Sequence, residues 1–179
     1  MNANPTADDL YALFSDSDDR PELVAVTPQA MPQPYRQLLV HTHHMTVTVE
    51  GHYGQSVEVK VIESVQGEFD YARKILLNLR ETGEVVQFGI IDVDLEALSE
   101  HVRREIVAGR TPLGRVLIQN DVLRSIHPVE FFRVTPDAKL CDWFGSSEPQ
   151  VTYGRLGVIF TGDRPAIRVL EILAPIASV

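Results

Sequence analysis

Cysteine, positive charge and long apolar runs are all scarce in this chain of 179 residues. The single cysteine, Cys141, excludes an internal disulfide, and we interpret it as a small packing residue rather than a nucleophile. The formal net charge of -9 argues against nucleic-acid binding, which usually needs a basic patch. No apolar run reaches the ~20 residues that span a membrane. The N-terminus has no basic start and no apolar core, so we predict a cytoplasmic protein without a signal peptide.

The motifs of several common catalytic and cofactor sites are missing as well. Neither G-x-G-x-x-G nor G-x-S-x-G occurs, which removes the usual signatures of a dinucleotide site and of a nucleophile elbow. The cluster "HTHH" offers three histidines, at positions 41, 43 and 44, but no Cys pair or HExxH accompanies them. We interpret them as surface or hinge histidines and expect neither a metal nor a cofactor.

The composition that remains is that of an ordinary globular domain, at 44% hydrophobic and 23% charged residues. Residues 1 to about 30 are polar and proline-rich, so we predict a peripheral N-terminal segment over 1–30. The rest, 31–179, has the length of a single domain with a sizeable core.

Along the chain, the spacing of apolar residues switches between the period of two that is typical of strands and the spacing that is typical of helices. Period-two patterns predict strands at "MTVTVEG", "SVEVKVIES", "YARKILLNL" and "VVQFGIIDV", and a closing hairpin around "GDRP". "HPVEFFRV" also reads as a strand, in which Pro128 indicates an edge or a break. Helical spacing appears at "QPYRQLLVHTHH", "LEALSEHVRREIVAG" and "TPLGRVLIQN". Strands with helices inserted between groups of them predict an α+β domain built on an antiparallel sheet.

Two charged residues stand on apolar strand faces. Arg73 shares its parity with Tyr71, Ile75 and two leucines, although arginine is rarely buried without a partner. Glu171 lies in "AIRVLEILAP", where both parities are apolar and no polar face is available. Each has two interpretations: a structural ion pair, which could join Arg73 to Glu171 directly, or a group that lines a pocket.

The segment "RTPLGR" predicts a helix start. We expect Thr111 as N-cap and Pro112 at the first helical position, which leaves the N–H groups of Leu113 and Gly114 free at the helix end. Such an end favours anions, carboxylates included. Taken alone it is a well-capped helix; together with Arg73 and Glu171 it predicts a site for a small organic acid, if the three converge.

At these residues the sequence resembles the chorismate pyruvate-lyase family. "HMTVTVE" is similar to the family's "SMT" segment, and "YARKILL" to its "WLREILL" strand. "GRTPLGRVL" is close to its "GKTPLGRYL", and "YGRLGVIFTGDRPAIRVLEILAP" to its "WGR…SGKP…TELFLP". The resemblance runs from about residue 34 to 175 in the family's order, although Lys74 stands where the family often has Glu, and Leu170 where it has Thr.

The resemblance implies a single domain with a six-stranded or slightly larger antiparallel sheet, helices on one side, and a closed cavity beneath helical flaps. It implies that Arg73 binds the substrate carboxylate, that Leu113 and Gly114 offer N–H groups, and that Glu171 meets the hydroxyl end of the ring. Met45 would line the apolar wall, and the helix before it would be a flap.

The implied activity is a carbon–oxygen lyase that converts chorismate to 4-hydroxybenzoate and pyruvate, with Arg73 and Glu171 as catalytic residues. The alternatives are a non-catalytic sensor of small aromatic acids, similar to the UTRA-type effector domains of bacterial transcription regulators, or a related enzyme acting on another ring acid. All three predict a small-molecule partner and no nucleic acid or membrane.

Overall fold

The computed structural model describes residues 1–2, 4–14 and 20–176. Its helices and strands are joined by short loops, and two three-residue 3₁₀ turns lie at Pro28–Ala30 and Leu95–Ala97. The elements are α1 (Ala7–Tyr11), β1 (Glu22–Ala25), α2 (Tyr35–Leu39), α3 (Met45–Tyr53), β2 (Val57–Gln66), β3 (Asp70–Leu79), β4 (Val85–Asp94), α4 (Glu100–Ala108), α5 (Leu113–Gln119), β5 (Arg124–Thr135), α6 (Ala138–Phe144), β6 (Thr152–Thr161) and β7 (Arg164–Leu173).

The strands form one antiparallel sheet of seven in the order β1-β5-β6-β7-β4-β3-β2. This confirms the predicted α+β fold and the closing hairpin, whose turn has Gly162 at φ +60°. In β5 the pairing with β6 shifts between Pro128 and Glu130. The short β1 pairs only with residues 132–135, so the part of β5 that contains Pro128 lies beyond the strand β1. Pro128 therefore lies both on an edge of the sheet and beside a break in the strand pairing, as the sequence predicted.

Alternation along the central strands separates two packed faces. In β3 the odd-numbered residues, among them Tyr71, Arg73 and Ile75, face the layer formed by α2 to α5. This is the helical side that the sequence predicts. The even-numbered Ala72 and Leu76 belong to a second core on the opposite face, which also receives α1 and α6. Because both faces are covered, β3 and β4 are buried along almost their whole length.

The segment "MTVTVEG" is a helix, so its assignment as a strand was wrong. Met45, Thr46 and Val49 are buried, which is helical spacing, whereas Val47 is exposed. The alternating Thr and Val residues satisfy a period of two equally well, and β-branched residues favour strands. Packing of Met45 and Val49 against the sheet overrides that preference, and Gly54 ends the helix in the left-handed conformation at φ +70°.

The structure also shows two helix ends that the sequence predicted, the start of α5 and the end of α4. Pro112, not Thr111, occupies the N-cap position of α5, and no side chain caps this helix. Helix α4 ends as predicted, with Gly109 left-handed at φ +68°. Its apolar stripe buries Val102 and Ile106 completely or nearly so.

The described part of residues 1–30 adds several buried side chains to the domain. In α1, Leu10 is fully buried and Phe14, just after the helix, packs beside it in the core of the opposite face. The strand β1 extends the sheet. Polar composition hid these few apolar anchors. In the part of the chain that the structure describes, no helix is long and apolar enough to cross a membrane.

Candidate functional site

All five residues predicted for the site line one cavity between the sheet and the helices α3 and α5. Its volume is about 50 Å³, the space of roughly three to five water-sized spheres. The wall is mostly apolar, and the polar side chains along it are few. They are His44, Thr46, Arg73, Gln87 and Glu171. The structure thus brings the predicted residues together, which sequence alone could not establish.

Arg73 is almost completely buried, with 1% of its surface exposed. Its Nη1 donates to the carbonyl oxygen of Ile106 at 3.1 Å, at the end of α4 where a cation is favoured. Its Nε has no hydrogen-bond partner. No carboxylate among the described residues lies within 4.0 Å of its guanidinium. Of the two interpretations that the sequence left open, the direct ion pair between Arg73 and Glu171 is therefore not formed.

The environment of Arg73 disfavours its charge. Burial lowers the pKa of Arg73 from its ordinary value, and the charge and hydrogen bonding of Tyr71 oppose that change. An arginine keeps its proton in proteins even so. The consequence is a buried, charged fork that lines the cavity with unused hydrogen-bonding capacity.

Glu171 is already neutralised by another residue. Its Oε2 accepts a hydrogen bond of 2.7 Å from Nε of Arg155 on the neighbouring strand, and the two residues are register partners. The bond joins two oppositely charged side chains, so this edge of the cavity is held by an ion pair within the protein. Glu171 still lines the cavity, where the pair presents little net charge.

Arg155 is the main polar residue that the sequence interpretation missed. It is 2% exposed and, besides Glu171, donates to the carbonyl oxygens of Leu39, His41 and His43 at 3.0–3.1 Å. It thereby fixes the chain between α2 and α3 to the sheet. The available signal was the same as for Arg73: an arginine on the strand parity of Tyr153, Gly157 and Ile159.

Gln87 is a second polar residue of the wall that was missed. It lies on β4, is 3% exposed, and its Oε1 has no hydrogen-bond partner. An unpaired buried oxygen of this kind costs free energy unless a donor reaches it. Met45, in contrast, lies where the sequence predicted, buried in the apolar wall.

The start of α5 forms the opposite wall. The first hydrogen bonds within this helix run from Arg115 and Val116 to the carbonyl of Pro112, so the N–H groups of Leu113 and Gly114 precede them. A Cβ on Gly114 would lie 2.9 Å from the Cβ of His44. The glycine therefore permits close packing of α5 on α3, a role that differs from the predicted approach of a ligand.

Two of the three histidines are tied into this region. Nε2 of His44 accepts a 2.6 Å hydrogen bond from Arg124, and burial, followed by the charge of Arg124, lowers the pKa of His44 to about 4. His41 contacts Leu38, Thr48 and Arg155, and burial lowers its pKa to about 4. The residues that the structure describes contain no group of three potential metal ligands.

Comparison with solved structures identifies the fold. PhnF from Mycobacterium smegmatis matches with a TM-score of 0.52 and 12% identity over 75% of this chain and 65% of that one. Its effector domain, solved separately, matches with a TM-score of 0.52 and 12% identity over 74% and 88%. A gene product from Staphylococcus aureus subsp. aureus N315 matches with a TM-score of 0.50 and 9% identity over 65% and 82%.

No protein-family model and no curated protein matches the chain. The chain shares its fold with the solved effector domain of PhnF, in line with the α+β fold that the resemblance implied. The expectation of an enzyme, a carbon–oxygen lyase, is wrong: the solved structures that match include PhnF and its effector domain.

Proposed function

We propose that this domain is a non-catalytic sensor that binds a small organic acid in the cavity beside Arg73. The proposed ligand is of the class that the sequence suggested, an aromatic or cyclic carboxylic acid. The proposal includes no catalytic conversion of that ligand. Matches to an effector domain support a binding role over a reaction.

One observation carries the proposal: Arg73 is a buried cation with an unpaired Nε and no carboxylate partner among the described residues. Burying an uncompensated charge costs several kcal/mol, so proteins rarely keep one without a use. A planar carboxylate would accept two parallel hydrogen bonds from the guanidinium and neutralise it.

Gln87 supports a ligand with a second polar end. Arg73 is the register partner of Ile91, and Gln87 precedes Ile91 by four residues on the same strand, β4. The two backbones are therefore about 13 Å apart along the sheet, and both side chains line the cavity between them. A molecule of about one ring, with a carboxylate at one end and a hydroxyl or amino donor at the other, would satisfy both groups.

The test uses 4-hydroxybenzoate and, as the uncharged comparison, 4-hydroxybenzamide, in isothermal titration calorimetry. We expect wild type to bind the acid and to bind the amide far more weakly. Arg73→Met should weaken binding of the acid by about 2–5 kcal/mol, because the variant removes the charged partner of a buried pair.

The control is Arg80→Met, the same change at an exposed arginine paired with Glu58 on the surface. It should leave binding unchanged. Equal binding of acid and amide by wild type, or unchanged binding of the acid by Arg73→Met, would rule out the carboxylate site. A wild type that binds neither compound would rule out the ligand class.

A further inference from the structure

A second cavity lies on the opposite face of the sheet, and nothing in the candidate site accounts for it. It has a volume of about 100 Å³, twice that of the cavity beside Arg73, and room for roughly seven to ten water-sized spheres. Helices α1 and α6 and the strands β2 to β4 border it. Lys74 lines it, directly after Arg73 in the chain, because alternation turns the two side chains to opposite faces.

Three aromatic rings line this cavity. Phe88 from the sheet and Trp143 from α6 stack on one another at 5.5 Å between ring centroids and 15° between planes. Tyr11 from α1 lines the same cavity. Rings arranged in this way pack best against another flat ring, in offset or edge-on contact.

One polar atom in these walls lacks a partner. Tyr11 is only 5% exposed, so its hydroxyl is shielded from water. The hydroxyl nevertheless has no hydrogen-bond partner among the described residues. Burial, together with the charge of Asp137, raises the pKa of Tyr11, so the hydroxyl keeps its proton and can donate it in a hydrogen bond. A ligand atom that accepts this hydrogen bond would satisfy it.

The charges around the cavity balance. Nζ of Lys74 lies 2.9 Å from Oε2 of Glu63, and the Asp137 carboxylate accepts a hydrogen bond of 2.9 Å from Leu140 N–H at the start of α6. Lys74 also lies over the ring of Phe14 at 4.5 Å. Lys139 also lines the cavity, so two lysines stand against the two carboxylates, Glu63 and Asp137. Because these formal charges balance, the cavity differs from that beside Arg73 and favours a neutral ligand over an acid.

We propose that this cavity is a second ligand site, which binds a neutral, flat heteroaromatic molecule of one or two rings through stacking on Phe88 and Trp143 and a hydrogen bond from Tyr11. The acceptor on the ligand is a carbonyl oxygen or a ring nitrogen. The site is independent of the organic-acid site, because the sheet separates the two.

Trp143 is the only tryptophan of the chain and therefore reports on this cavity alone. The experiment titrates the full chain with quinazolin-4-one, a neutral two-ring compound with a carbonyl, and follows tryptophan fluorescence. We expect a saturable change. Tyr11→Phe should weaken binding about three- to tenfold, as expected for one neutral hydrogen bond. Tyr153→Phe, the same change on the other sheet face, and Arg73→Met should leave binding unchanged.

Thermal unfolding separates binding from structure. Because the Tyr11 hydroxyl has no hydrogen-bond partner among the described residues, Tyr11→Phe should melt at or above the temperature of wild type. Four results would each overturn the proposal: no saturable fluorescence change, unaltered affinity in Tyr11→Phe, a clearly lower melting temperature of Tyr11→Phe, or loss of quinazolin-4-one binding in Arg73→Met.

Discussion

Arg73 and Arg155 occupy equivalent positions with different outcomes. Each stands on an apolar strand face of the helical side, and each is at most 2% exposed. Arg155 has a carboxylate partner in Glu171 and donates to three backbone carbonyls. Arg73 donates to one backbone carbonyl and is hydrogen-bonded with Tyr71, but its Nε is unpaired and no carboxylate among the residues described pairs with it.

This difference in bonding suggests that Arg155 stabilises the fold and that Arg73 is available to bind a ligand. A satisfied buried ion pair holds the chain between α2 and α3 on the sheet, and removal of either partner would leave the other charge exposed to the low-dielectric interior. Arg73 makes fewer bonds within the protein, so we expect it to contribute less to the stability of the fold, and this contrast is the basis for the proposed external ligand. The cavity beside Arg73 supplies the place for that partner.

The largest expected effect is on Arg155. Arg155→Met should lower the free energy of unfolding by about 3–5 kcal/mol, because it strands the buried Glu171 carboxylate and leaves three carbonyls without a donor. Urea denaturation measures the change. The matched variant Arg73→Met should leave the free energy of unfolding unchanged or raise it. Equal destabilisation by both variants would abolish the distinction between the two arginines.

Next in size is the effect of geometry at Arg73. Arg73→Lys keeps a positive charge but loses the planar fork, so binding of 4-hydroxybenzoate should weaken by about 1.5–3 kcal/mol, the contribution of one charge-assisted hydrogen bond. Calorimetric titration of both proteins gives the difference. If lysine serves as well as arginine, the carboxylate is held by charge alone and the forked pair is disproved.

Gly114 tests the packing that closes the cavity. Gly114→Ala places a Cβ 2.9 Å from the Cβ of His44 and should cost about 1–3 kcal/mol of stability, as overpacking does. The control is Gly51→Ala in α3, where an added Cβ meets nothing within 4 Å and helix propensity favours alanine. Urea melts should rank Gly51→Ala at or above wild type and Gly114→Ala below it; the reverse order would contradict the close approach of α5 to α3.

The smallest expected effect is the pH dependence of stability that comes from His44. The folded pKa of His44 is about 4, below its ordinary value of 6.5, so the unfolded chain binds more protons between these limits. Stability from neutral His44 is complete above pH 6.5 and is lost as the pH falls toward 4. Groups that face His44 include Arg124, Arg155 and His43.

His44→Gln has no proton to bind and should show a shallower loss of stability between pH 6.5 and 4.5 than wild type. Chemical denaturation at several pH values measures both slopes. Identical slopes would mean that His44 titrates normally and is not held neutral beside Arg124.

The sequence predicted most of the sheet because each of those strands has at least one clearly apolar face. It failed at Met45–Tyr53, where alternating Thr and Val suit both periods and only tertiary packing decides. It found Arg73, Glu171, Leu113, Gly114 and Met45, which the structure groups around one cavity. It could not predict which arginine pairs with Glu171, since that depends on strand order: β6, not β3, carries the register partner.

The most direct test of the central claim is a crystal structure of the chain with 4-hydroxybenzoate. We predict the carboxylate within about 2.7–2.9 Å of the Arg73 guanidinium, with the Arg155–Glu171 pair unchanged. A ligand whose carboxylate is turned away from Arg73, or an Arg73 paired with a carboxylate of the protein itself, would contradict the account.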